Sequence, residues 1–219
     1  MTVSDPTCGC TVPVELAGAP LGRYRHICAF FRNPQEEHRV MFPFIKEGLA
    51  RGDHTLQIVE PALRDDHRQQ LRAAGVDVEA EERRGMLEVR SVREMYLQGG
   101  RFDIDRMLAT VRQNLSHDSD RSISRITGHA EWACEDWPGV QDFLAYEARL
   151  NDVLPEGRDT VVCLYDLSKT SAALIVDVLR THPLVILGGL LHENPFYVPV
   201  EQFLERLRER AAETEAAVP

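Results

Sequence analysis

The sequence predicts a three-layer α/β domain, a mostly parallel central sheet with helices on both faces. Three observations point there. Short apolar runs alternate with segments of helical spacing, each on the order of ten residues or more. The run TVVCLYD (160–166) is largely apolar, as a strand buried on both faces of a parallel sheet is. Finally, 219 residues with 43% hydrophobic content are enough for one well-packed domain.

The stretch from His26 to Asp53 sets the pattern. An apolar run, Ile27 to Phe31, breaks at Asn33-Pro34; Val40, Met41, Phe44, Ile45 and Leu49 then recur at helical spacing. Gly52 stops that helix and HTLQIV follows as a second strand. Before this unit, residues 1–22 show no period and read as a loosely ordered arm whose one chemical feature is Cys8-Gly-Cys10. After it comes a helix opened by Pro61 and closed by Gly75, then a short one over Val78 to Arg84. Met86 to Val89 gives a third strand, and residues 92–103 a loop with a helical turn. Phe102 to Leu115 is amphipathic, with Ile104, Leu108, Val111 and Leu115 on one face and Asp103 near its start. SISRITG ends a fourth strand at Gly128, followed directly by His129, Glu131, Trp132 and Cys134. A helix with Phe143, Tyr146 and Leu150 on its buried side leads to the fifth strand and a helix from Ser171 to Arg180. Residues 184–198 form a strand turning at Gly188-Gly189 into a further extended segment. The chain thus divides into the arm (1–22), the domain (23–200) and a charged terminal helix (201–219) with Phe203, Leu204 and Leu207 as its apolar contacts.

Composition removes several classes of function. Net charge is −10, from 35 acids against 25 bases, with no basic stripe, which disfavours direct nucleic-acid binding. No basic, apolar leader opens the chain and no apolar run approaches membrane-spanning length, so a cytoplasmic protein is expected. Five cysteines at uneven spacing suit reduced thiols or metal ligands better than a disulfide framework.

Ligands of parallel sheets sit outside the carboxyl ends of the strands. That filter selects Phe31 and Arg32, Glu60, Ser91 and Arg93, Gly128 to Trp132, and Asp166 with Lys169. The first loop, RNPQEEH, has neither glycine nor lysine to cradle phosphates, and Glu36 and Glu37 would repel them. ATP is therefore not expected, on what is otherwise a nucleotide-binding type of scaffold.

The blocks HICAFFRNPQEEHRVMFPFIKEGLARGD, YLQGGRFDIDRML, ITGHAEWA, FLAYEARLN, LYDLSK and VLRTHPLVILGGLLHENPFYVP resemble the MEDS family, the sensory domain of methanogen and methylotroph regulators of the DcmR type, over roughly residues 24–200. The resemblance implies a fold related to the RecA and KaiC ATPases with degraded nucleotide motifs, and sensing of small hydrocarbon derivatives within signalling or transcription. One block departs from the pattern. Relatives more often read GEMSW where this chain has Gly128-His129-Ala130-Glu131-Trp132, so the acid has moved two positions and a histidine has entered. The chain has no helix-turn-helix segment, and any control of transcription is expected to pass through another protein.

Four constellations could carry chemistry. His26 and Cys28 share one face of a strand; with Cys8 and Cys10 folded back they would form a Cys₃His set for zinc or another transition metal, the alternative being a Cys28 that merely fills the core. His129, Glu131 and Trp132 either line a pocket for a small organic ligand, or Trp132 caps the core while the other two are solvated. Asp166 could hold a hydrated cation only with P-loop partners that are missing, and otherwise anchors its loop. His192, Asn194 and Tyr197 either edge the same pocket or belong to turn chemistry around Gly188-Gly189 and Pro195. No G-x-S-x-G elbow suggests a hydrolase.

The expected function is a non-enzymatic sensory or signalling protein that binds a small organic ligand or a metal and acts through a regulatory protein partner, with a homodimer possible through the last helix. The competing expectations are a metal- or thiol-dependent enzyme built on Cys28, His129 and Glu131, and a zinc-binding redox sensor using Cys8, Cys10, His26 and Cys28.

Overall fold

The computed structural model describes residues 13–115, 123–154, 156 and 158–216. Residues 13–22 are not loose: β1 (Glu15–Leu16) and β2 (Ala19–Pro20) form a small antiparallel hairpin. Its Val14, Leu16 and Leu21 are buried in the same apolar cluster as Val40 and Phe44, which explains why this part of the arm is held. Cys8 and Cys10 lie outside the described residues.

The main chain then alternates. β3 (His26–Phe31) feeds α1 (Pro34–Arg51), and β4 (His54–Val59) feeds α2 (Arg64–Ala73) and α3 (Val78–Arg83). The start and stop of α1 follow from three residues. The Asn33 side chain accepts a hydrogen bond from the Glu36 N–H, Pro34 occupies the first turn, and Gly52 ends the helix in the left-handed region at φ 80°. β5 (Leu87–Ser91) runs into α4 (Val92–Met95), a turn that Ser91 and Glu94 close with reciprocal side-chain to backbone bonds. α5 (Ile104–Asn114), β6 (Ser124–His129), α6 (Phe143–Val153), β7 (Thr160–Asp166), α7 (Ala172–Thr181), β8 (Leu184–Leu187), β9 (Leu190–Glu193) and α8 (Val200–Ala216) complete the order.

The seven-stranded sheet runs β5-β4-β6-β7-β3-β8-β9. Every pair is parallel except β8–β9, a hairpin turned by Gly188 and Gly189, both at positive φ. One apolar layer joins alternate strand residues to α1, Leu71 of α2 and Val78 of α3; the other joins the intervening residues to α5, α6 and Val178 of α7. These are the two helical layers that the alternation of strands and helices implies. Phe203 and Leu204 of α8 are buried with Ala148 of α6, so the last helix docks on the domain itself. Among the described residues no helix is long and apolar enough to cross a membrane.

The topology places a crevice. β3 leaves through α1 toward β4 on one side, while β7 leaves through α7, in the opposite layer, toward β8 on the other side. β3 and β7 are neighbours whose connections leave in opposite directions, and ligands of parallel sheets sit outside the carboxyl ends of the strands at such a reversal.

Candidate functional site

β6 presents Arg125, Thr127 and His129 on one face, because strand side chains alternate. All three are buried and polar, and each finds a partner in the α1 layer or on β4. Arg125 donates to the Phe44 carbonyl at 2.7 Å and to Asp53 Oδ2 at 2.9 Å, and Thr127 donates to Gln57 Oε1 at 2.7 Å. His129, last in the row, reaches the crevice, where its Nε2 lies 3.3 Å from Glu37 Oε1. Glu37 sits on the inward stripe of α1, three, four and seven residues before the buried Val40, Met41 and Phe44.

Glu131 closes the other side of the imidazole. Its Oε2 is 3.4 Å from His129 Nδ1, and its Oε1 accepts the backbone N–H of Asp166 at 2.9 Å, which ties the end of β6 to the end of β7. The cavity beside this triad measures about 70 Å³. Phe31, Pro34, Val59 and Leu63 supply its apolar wall; Glu37, His67, His129, Glu131, Asp166 and Lys169 supply polar groups.

The electrostatics follow from burial and pairing. Burial opposes charge on His129, but the carboxylates of Glu37 and Glu131 outweigh it and hold its pKa well above the ordinary histidine value. Burial likewise opposes charge on Glu37, and the facing His129 overcomes it, so the Glu37 pKa is lowered. At His67 burial outweighs the pull of Glu37, lowering its pKa to about 4 and leaving it neutral. Asp166, despite partial burial, is held below the usual carboxylate range by hydrogen bonds from Ser168. The site is therefore an imidazolium clasped by two carboxylates, next to a neutral imidazole.

Of the residues singled out from sequence, Phe31, His129, Glu131, Asp166 and Lys169 line this cavity together. Four others do not. Arg32 turns to solvent and folds back on Glu36, its backbone N–H and its Nε both donating to Glu36 Oε2, because the start of α1 offers it a carboxylate nearby. Trp132 is 1% exposed and belongs to the core, its ring within 5.2 Å of the rings of Tyr96, Phe102 and Phe143. His192 is exposed on the edge hairpin. Tyr197 meets Tyr24 at 6.4 Å between ring centres, near the amino end of β3 and so at the opposite end of the sheet. Sequence reasoning missed Glu37 and His67. A signal for both was present: each acid or imidazole falls in register with apolar residues of its own helix, Glu37 with Val40 and Met41, His67 with Leu71.

A second polar group lies within the opposite layer. His26 and Cys28 share a face as expected, but the Cys28 thiol donates to the Leu184 carbonyl at 3.6 Å. His26 instead meets Glu147 of α6, Cys163 of β7 and His182 at the end of α7, with one potential ligand atom from each within 4.8 Å of the others. All four are buried. Burial and the neighbouring His182 lower the His26 pKa to about 4. Burial opposes ionisation of Glu147, but His182 and His26 bring its pKa down to about 2, so a carboxylate stands among the imidazoles. Cys28, fully buried, does not line the cavity of His129 and Glu131, so the three residues of an imagined thiol enzyme are not assembled.

The chain is thus an α/β domain with a mostly parallel sheet, an acid–histidine clasp and a small cavity at its strand ends. Residues 25–183 match the family described as the methanogen/methylotroph, DcmR sensory domain (MEDS), and the chain belongs to that family. It is also similar to the transcriptional repressor DcmR of Methylorubrum extorquens, 23% identical over 182 residues, which cover 77% of this chain and 62% of that protein. The match therefore spans less than two thirds of the repressor's length.

Proposed function

We propose that this protein is a non-enzymatic sensor that takes a small organic molecule into the cavity between α1, α2 and the ends of β3, β6 and β7. Occupancy is passed on to a regulatory protein partner. The observation that carries this reading is the His129 imidazolium held between Glu37 and Glu131 at the wall of a 70 Å³ cavity. A preformed, mostly apolar hollow with a few fixed polar groups is how small-molecule sites are built, although pockets for drug-sized ligands are larger, at about 300–1,000 Å³. The ligand is accordingly a molecule of few heavy atoms, with one polar function for the clasp and an apolar part against Phe31, Val59 and Leu63. One buried lining atom, His67 Nε2, has no hydrogen-bond partner among the described residues and would gain one from it.

The same observations support a degraded RecA- or KaiC-like scaffold. Asn33, Pro34 and Glu36 occupy the strand-to-helix turn where such an ATPase needs glycines and a lysine, and the cavity is too small for a nucleoside triphosphate. Signalling follows from linkage: a ligand that prefers the closed arrangement of the loops after β3, β6 and β7 shifts the population of the surface they form.

Thermal unfolding with a panel of one- to three-carbon alcohols, ketones and halocarbons, alongside Mg-ATP, tests the proposal. A stabilisation by a member of the panel that disappears in Glu37→Gln is expected. Stabilisation by Mg-ATP, or a small-molecule response indifferent to Glu37 and His129, would overturn it.

A further inference from the structure

We propose that His26, Glu147, Cys163 and His182 form a closed tetrahedral site for a zinc-type divalent cation, in the layer of the fold opposite the ligand cavity. The argument begins with the ligand atoms. His26 Nε2 lies 3.4 Å from Glu147 Oε2, His182 Nε2 lies 3.0 Å from the same oxygen, and Cys163 Sγ lies 3.6 Å from His26 Nε2. Around a zinc ion with metal–nitrogen and metal–oxygen distances of about 2.0 Å and metal–sulfur of about 2.3 Å, the edges of the tetrahedron are roughly 3.3–3.6 Å. These three separations already stand near those edges, and all four donors lie within 4.8 Å of one another.

The second argument is the tautomer that each histidine is forced to adopt. Asn151 donates its amide to the Ala148 and Thr181 carbonyls, which leaves its Oδ1 as an acceptor 3.3 Å from His26 Nδ1. His26 therefore carries its proton on Nδ1 and turns the Nε2 lone pair inward. His182 Nδ1 lies 2.9 Å from the Val178 carbonyl, an obligate acceptor, which likewise places the proton on Nδ1. Both rings are thus oriented by outer partners in the manner of metal-bound histidines.

Third, the inward atoms do not satisfy one another. Glu147 Oε2 and His182 Nε2 are fully buried and close, yet neither has a hydrogen-bond partner among the described residues. With the His182 proton on Nδ1, its Nε2 lone pair and the Glu147 carboxylate converge at 3.0 Å, an arrangement that is costly in a dry interior unless a cation sits between them. A divalent cation with one carboxylate, one thiolate and two neutral imidazoles is electrically neutral, as this apolar layer requires. With four protein donors no position is left open, so the site is structural: it clamps the start of β3 and the middle of β7 to α6 and to the end of α7. The set shares only His26 with the Cys₃His arrangement expected from sequence.

The test uses the full chain purified without chelator. Elemental analysis should give one equivalent of zinc or a similar divalent metal, and X-ray absorption at the metal edge should show one sulfur and three nitrogen or oxygen neighbours. Cobalt(II) exchanged into the protein should give a thiolate-to-metal charge-transfer band, which Cys163→Ser removes while Cys28→Ser and the paired Cys8→Ser, Cys10→Ser variant keep it. Chelation should lower the unfolding temperature of the wild-type protein, and zinc should restore it. Wild-type protein that takes up no zinc or cobalt and has an unchanged unfolding temperature with and without them would overturn the proposal. So would a metal with two or more sulfur neighbours, or one whose sulfur signal is lost through Cys8, Cys10 or Cys28. The wild-type readings decide the matter even if a variant fails to fold.

Discussion

Glu37 Oε1 and His129 Nε2 face each other at 3.3 Å, joining the first turn of α1 to the last residue of β6 across the crevice. Neither residue's own element requires this contact. It exists because the sheet brings the carboxyl end of β6 under the inward stripe of a helix that begins almost a hundred residues earlier in the chain.

The pair makes the protein's stability depend on pH in a fixed direction. The folded pKa of His129 lies well above its unfolded value of about 6.5, so its stabilisation is fully present below that value and is lost as pH rises through the folded pKa. Chemical denaturation followed from pH 6 to pH 9 should show stability falling with pH, and His129→Gln should flatten the curve. Glu37→Gln should lower the His129 pKa, read by NMR titration of the imidazole, and cost roughly 1–3 kcal/mol near neutral pH. A His129 that titrates below 6.5 in the wild type would contradict the clasp.

Arg125 behaves as a buried ionic hub. It is 0% exposed, pairs with Asp53 at 2.7 Å, contacts Glu47, and lies over the Phe44 ring at 4.6 Å. Arg125→Met strands Asp53 in the interior and should destabilise the fold by about 3–5 kcal/mol, whereas the double variant Arg125→Met, Asp53→Asn should recover much of that loss. Gly48 exists for the same hub: a Cβ there would meet Arg125 Nε at 2.6 Å, so Gly48→Ala should also destabilise despite its better helix propensity. Denaturant midpoints of the four proteins check the series.

Trp132 and His129 separate packing from binding. Trp132→Ala empties an aromatic cluster and should cost about 3–5 kcal/mol, while any small-molecule stabilisation measured below its lowered unfolding temperature persists. His129→Ala should do the reverse, abolishing the response with a smaller loss of stability. Loss of ligand response in a folded Trp132→Phe variant would move the indole into the site.

The docking of α8 on α6 gives a local prediction. Phe203→Ala should cost roughly 3 kcal/mol at most and raise amide exchange in α8 and the facing turns of α6, with exchange in β3 and β6 unchanged. Uniformly faster exchange across the sheet would mean that α8 supports the whole domain.

Much of this was legible from residues alone. The alternation of apolar runs and amphipathic stretches fixed the layers, Asn33-Pro34 and Gly52 fixed the ends of α1, and the rule that parallel sheets bind at their carboxyl ends picked out Phe31, His129, Glu131 and Asp166. Such features are local, set by backbone chemistry and by a periodicity that the chain shows over a few residues. Tertiary structure alone decided the rest. It turned Arg32 outward and Trp132 inward, carried His192 and Tyr197 away from the crevice, and supplied Glu37 and His67 from two helices. It also brought His26, Glu147, Cys163 and His182 within reach of one another from the two ends of the domain. Separations in sequence say nothing about such meetings; they follow from the order of strands in the sheet, which is set by how the whole apolar surface is buried rather than by any one segment.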